Sequence, residues 1–157
     1  DPADDYNGDP RGATPDIGAF EYGGGGGDTT APIVSSVSIG TNGTTLTIIW
    51  TEASGSVSRG GGWNNNQMNV DCTIAGNDKA VTYVSGDATT TWTLTIAQTI
   101  YAGDTCNLDF DGGSTSIIDP SNNYVVDFSN QAITNNSMLE PPPSKAQGIT
   151  ITGGSLK

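Results

Sequence analysis

The chain contains no histidine, and only 5 of its 157 residues are lysine or arginine. Without an imidazole there is no Ser-His-Asp triad, no G-x-S-x-G motif accompanies the serines, and no His/Cys set has metal-ligand spacing. Carboxylates alone could act as a glycosidase pair only across a cleft, which nothing in the sequence implies. The chain is therefore expected to be non-catalytic. Basic residues are outnumbered by 17 acidic ones, for a net charge of −12. Such a surface repels phosphate and disfavours both nucleic acid and anionic membranes. It suits calcium, which takes carboxylate and carbonyl oxygens. No apolar run approaches the roughly 20 residues a membrane helix needs. There is neither an initiator methionine nor a signal peptide, and the chain stops just after ITITGGSLK, so it reads as a fragment of a longer polypeptide.

Hydrophobic residues make up 34% and charged residues 14%, both low for a globular chain; serine, threonine, asparagine and 22 glycines take their place. This composition favours short strands and turns over helices. Residues 1–22 are rich in Asp, Gly and Pro and end in the extended run Asp16 to Tyr22. Residues 23–31 form a flexible linker built on five consecutive glycines. From residue 32 to 137 the hydrophobic period is two. Strands are predicted over 33–39, 44–52, 68–74, 79–84, 91–97, 104–110 and 130–134, with turn signals such as Asn42-Gly43 and Gly86-Asp87 between them. Alternation places Leu46, Ile48 and Trp50 on one inward face, and likewise Val70, Cys72 and Ile74; Trp92, Leu94 and Ile96; and Cys106, Leu108 and Phe110. Residues 54–67 break the period and read as a long loop. Residues 138–147 contain Pro141 to Pro143, a stiffer spacer, and residues 148–157 begin a further β element. Short strands at regular spacing imply an all-β, antiparallel sandwich.

Two stretches carry a resemblance. Asp5-Tyr6-Asn7-Gly8-Asp9-Pro10-Arg11 followed by Asp16-Ile17-Gly18-Ala19-Phe20-Glu21-Tyr22 resembles the closing coil of right-handed parallel β-helix proteins, the pectate-lyase-like surface and secreted proteins of bacteria. The resemblance covers about 20 residues and implies that residues 1–22 are the end-piece of a β-helix. The second comprises Thr44 to Ile48, Tyr101 to Thr105, Ile118 to Asn123 and Asp127 to Ser137. It is similar to the bacterial Ig-like repeat of swimming and surface proteins, the SwmB type. It spans about residues 31–137, departing from that pattern in the longer Asn/Gly-rich segment 54–67 and in the two cysteines at core positions. It implies an Ig-like sandwich in a structural or adhesive module with no shared catalytic site, set in an extracellular, cell-surface or virion-surface protein.

Four sets of residues could carry binding or covalent chemistry. Cys72 and Cys106 sit on inward faces, where facing strands could bring their Cα atoms within disulfide range; the alternative is two buried thiols. Asp109, Asp111, Asp119 and Asp127 offer oxygen ligands for calcium, or simply serve as turn residues bonding to their own backbone; the EF-hand spacing is absent. Trp63, with Asn64, Asn65 and Arg59, could stack on and hydrogen-bond a polysaccharide, or Trp63 could instead cap the core. Ile149 and Ile151 alternate with threonines in a tail suited to adding a strand to a neighbour's sheet edge. Three functions remain open: a spacer presenting neighbouring domains, a subunit of a repeating assembly such as a phage fibre or surface filament, and an accessory carbohydrate-binding module. The expected partners are other domains or copies of the parent protein.

Overall fold

A computed structural model describes residues 28–143. Residues 1–22, expected as a β-helix end-piece, the glycine run, and the tail with Ile149 and Ile151, expected to add a strand, lie outside the described residues. Within them the fold is all-β, with nine strands and two single-turn 3₁₀ helices. The strands are β1 (Ile33–Ile39), β2 (Thr45–Thr51), β3 (Ser58–Arg59), β4 (Met68–Cys72), β5 (Gly76–Ser85), β6 (Thr91–Ile96), β7 (Cys106–Phe110), β8 (Ile117–Ile118) and β9 (Phe128–Asn135).

Seven of them form one barrel-like sheet in the order β1-β2-β6-β5-β4-β7-β9, and β3 and β8 form a separate two-stranded ribbon. Every neighbouring pair is antiparallel except the one that closes the ring. There β9 runs parallel to β1, through only Ser38 with Thr134 and Ile39 with Asn135. Because these two strands run the same way, the chain comes in at one end of the barrel and leaves at the other. We call these ends the N-terminal and C-terminal poles.

The period-two segments fold as strands because each can turn one row of apolar side chains inward. Leu46, Ile48, Trp50, Val70, Trp92, Leu94, Ile96, Leu108 and Phe110 are all buried. Trp50 and Trp92 meet edge to face, their centroids 5.5 Å apart. Ile74 corrects the expected inward face. It is 57% exposed, because β4 ends at Cys72 and the chain has already entered the turn toward β5. The outward faces of β2 and β6 carry threonines, as a solvated sheet face allows.

The turn after β1 shows why one glycine is required. Gly43 has φ +68° and donates its N–H to the Gly40 carbonyl, and its own carbonyl accepts from Ile100 N. A Cβ there would run into the Ile100 carbonyl oxygen.

Segment 54–67 is more structured than its composition implies. Val57 is fully buried, β3 pairs with β8, and Asn65–Gln67 forms a 3₁₀ turn capped by Asn64. Gln67 Nε2 reaches Ser116 Oγ at 2.7 Å and the Gly62 carbonyl at 3.1 Å, which ties this segment to the β7–β8 connection across the N-terminal pole.

Candidate functional site

Cys72 and Cys106 form a disulfide. They come from neighbouring strands rather than facing ones: β4 and β7 pair antiparallel, and the two cysteines are directly opposite, Cα to Cα 4.2 Å. Such a separation is that of the closer type of antiparallel pair, whose side chains lie side by side on one face. Both are almost wholly buried near the C-terminal pole.

Asp104 stands beside them, 4% exposed. Its Oδ1 accepts from Thr73 Oγ1 and Ile74 N, and its Oδ2 accepts from Ala75 N, each at 2.8 Å. Burial alone would push its pKa up, but these three donors favour the charged form and outweigh it, leaving the carboxyl below its ordinary value. Asp104 therefore pins the β4–β5 turn to the strand that carries Cys106. With the cysteines oxidised, the Cys72-Asp104-Cys106 group offers no thiolate to a metal.

The structure divides the four aspartates expected to gather for calcium between two places. Asp127 Oδ1 accepts from the Gly112 and Gly113 N–H groups, and Asp109 Oδ1 from Asn130 N. Asp109, Asp111 and Asp127 share the lining of an open, shallow cleft with Asn69, Phe110 and Phe128. Asp119 belongs to a different group. Its carboxylate lies with those of Asp28 and Glu52, one oxygen of each within 4.8 Å of the others.

Asp119 is 3% exposed. Its Oδ1 accepts from Ser121 N and Asn123 N, and its Oδ2 from Asn123 Nδ2. Burial again acts to raise its pKa, and bonds from the Asn123 side chain and the turn backbone outweigh it, so the group stays ionised. The turn it organises includes Asn122 at φ +68°, a conformation asparagine tolerates. Asn123 Nδ2 also donates to the Asp28 carbonyl, which fastens the incoming chain to this turn. Asp28 Oδ1 accepts from Thr30 N, while Asp28 Oδ2 is buried without a hydrogen-bond partner. Three carboxylates from segments far apart in sequence thus converge at the N-terminal pole, one with an oxygen left unsatisfied. That donor set fits a hard divalent cation with oxygen preference.

The residues considered for sugar recognition all have intramolecular partners. Trp63 is half-buried and packs on the core, edge-on to Trp92 at 5.7 Å and to Tyr83 at 6.5 Å. The Arg59 guanidinium lies 3.9 Å from the centre of the Tyr83 ring and pairs with Asp87 at 3.6 Å. Asn64 caps the 3₁₀ turn, and Asn65 Oδ1 accepts from Tyr83 N. The indole closes the end of the barrel rather than standing out from it.

Along the closing seam, β1 and β9 separate toward the N-terminal pole. Residues 33–37 pair only with β2, and residues 128–133 only with β7, among the described residues. A cleft of about 290 Å³ opens there, lined by Pro32, Ile33, Val34, Val126, Phe128 and Gln131. Ile33 is 61% and Val126 76% exposed.

No protein-family model, curated protein or solved structure matches the chain.

Proposed function

We propose that the chain is a non-catalytic Ig-like structural module that spaces and presents neighbouring segments of a larger extracellular or surface protein. The observation that carries this reading is the parallel β1–β9 closure, which puts the incoming and outgoing chain at opposite poles. A module threaded in this way extends a string of domains by its own length, about 23 Å along a seven-residue strand. The strand order supports the Ig-like assignment. Leaving aside the short ribbon, the strands taken as A to G in chain order run A-B-E-D and C-F-G around the sheet, the order of the constant-type immunoglobulin fold. The disulfide differs, since it joins C to F within one sheet rather than B to F across two. A buried disulfide and a threonine-coated exterior favour an oxidising, extracellular setting.

The same reading gives the Asp28, Glu52 and Asp119 group a role. Calcium bound there would hold the incoming chain to the β2 end and to the Asp119 turn, stiffening the junction with whatever precedes it.

The reading is tested by pulling the chain from residues 28 and 143. Force applied there loads the parallel β1–β9 pair in shear. The oxidised module should unfold in one event whose extension lacks the 34-residue stretch closed by the disulfide, and reduction should restore that length. Gradual unravelling at low force would refute a spacer that holds its shape under tension.

A further inference from the structure

We propose that the open seam between β1 and β9 receives an added strand, and that its occupant is residues 148–152, Gly-Ile-Thr-Ile-Thr, of a second copy of this chain. The inference does not rest on the Ig-like assignment; it needs only the seam and the tail.

Four observations point to this occupant. The first is the unpaired backbone. Residues 33–37 and 128–133 each offer one free edge among the described residues, so a strand laid between them would find N–H and C=O partners. The second is length and pattern. The free edge of β1 is five residues long, and so is the tail segment, with Ile149 and Ile151 on one face and Thr150 and Thr152 on the other. That alternation suits a cleft whose floor is apolar, with Ile33, Val34, Val126 and Phe128 along it, and whose outside is wet.

The third is charge. Residues 144–157 contain Lys145 and Lys157 and no acidic residue, whereas residues 28–143 contain 11 acidic residues against Arg59 and Lys79. Asp127 lines the seam cleft, and Asp109 and Asp111 line the one next to it. The tail is the one basic piece of an otherwise acidic chain, and the seam is flanked by carboxylates.

The fourth decides between a strand from the same chain and one from a second copy. After β9 the chain turns across the C-terminal pole, where Met138 N donates to the Thr41 carbonyl and the Leu139 carbonyl accepts from Ala102 N. The cleft is at the other pole. A chain running straight back from Leu139 along the seam would pass it within about six residues, at roughly 3.3 Å each. Residues 148–152 would by then lie beyond the barrel, and Pro141 to Pro143 favour an extended path rather than a fold-back. In a head-to-tail row residues 140–147, extended over about 26 Å, bridge a gap between the C-terminal pole of one copy and the N-terminal pole of the next, which brings residues 148–152 to the seam of the second copy. Such a contact joins two different surfaces, so it repeats and builds a filament or a ring.

The test uses the full chain of 157 residues in sedimentation experiments over a range of concentration and salt. The unmodified chain should form concentration-dependent oligomers that dissociate as salt is raised. Ile149→Asp with Ile151→Asp should be monomeric, with the melting temperature that the unmodified chain shows when diluted to monomer. Val126→Lys, at an exposed position in the cleft, should also be monomeric. An equimolar mixture of these two variants should give a dimer and nothing larger, because one intact tail meets one intact seam. A monomeric unmodified chain would overturn the proposal, including the case where hydrogen exchange shows residues 148–152 protected within a single chain. So would oligomers that survive both variants.

Discussion

Reduction of the Cys72–Cys106 bridge should lower stability by an amount the loop length sets. The bridge closes a loop of 34 residues that contains β5 and β6. On the chain-entropy model, releasing a loop of that size returns about 12.6 cal/mol/K to the unfolded chain, or about 3.8 kcal/mol at 25 °C. The folded state changes little, because Cys72 and Cys106 remain opposite each other in the β4–β7 ladder and no atoms but two hydrogens are added. Spread over the unfolding entropy of the described residues, 3.8 kcal/mol corresponds to a fall in melting temperature of about 15 °C. Since both sulfurs are buried, the protein should be reduced while unfolded, refolded under reductant and checked by thiol alkylation. Calorimetry of the oxidised and reduced forms then isolates the cross-link, and Cys72→Ala with Cys106→Ala adds the cost of lost side-chain atoms. A difference below about 1 kcal/mol would refute the reasoning. It would mean that the unfolded chain already holds residues 72 and 106 together.

Two further outcomes are expected. Asp104→Asn should cost about 1–3 kcal/mol near neutral pH, because three donors lose a charged acceptor. The stability Asp104 contributes is present above its ordinary pKa near 3.8 and is lost as pH falls through its lower folded value, so the variant should lack that acid-side decline in a urea titration between pH 2 and 6. Calcium should raise the melting temperature reversibly to chelator, by the equivalent of about 2.7 kcal/mol at a hundred times its dissociation constant. Glu52→Gln should abolish the rise while leaving the Asp119 turn intact, and no rise in the unmodified chain would remove the site.

The strand core is legible in the sequence because its signal is local. Leu46, Ile48 and Trp50, or Cys106, Leu108 and Phe110, announce an inward face within five residues, and these faces are buried in the fold. What failed was either too short or too distant. The β3–β8 ribbon is two residues to a strand, below any period, although Val57 just before β3 and Ile117 within β8 are fully buried. Trp63 sits among glycines and asparagines, so the sequence left a sugar-stacking indole and a cap on the core both open; the packing that distinguishes them comes from Tyr83 and Trp92, about 20 and 30 residues later. Neither Asp28 nor Glu52 stood out as a possible cation ligand. Their meeting with Asp119 depends on β2 ending where the incoming chain crosses the Asp119 turn, and no spacing rule encodes that. The disulfide was open to inference because only two cysteines exist, but its place within one sheet required the β4–β7 register.

The bridge also determines how the module survives damage. Among the described residues, the only cleavage points for a trypsin-like protease are Arg59 and Lys79. Lys79 lies inside the stretch that the disulfide closes, so a cut there leaves one covalent molecule with a nick in β5. Arg59 lies outside it, and a cut there frees β1 and β2 from every covalent tie to the rest of the barrel. Arg59 is exposed, and its segment is held by hydrogen bonds: Arg59 N donates to Asp87, Gly60 N donates to the Ser116 carbonyl, and the side chain lies over Tyr83 and pairs with Asp87. A cut at Lys79 is thus backed up by a covalent loop, whereas a cut at Arg59 is opposed only by the hydrogen bonds and packing that hold its strand in place.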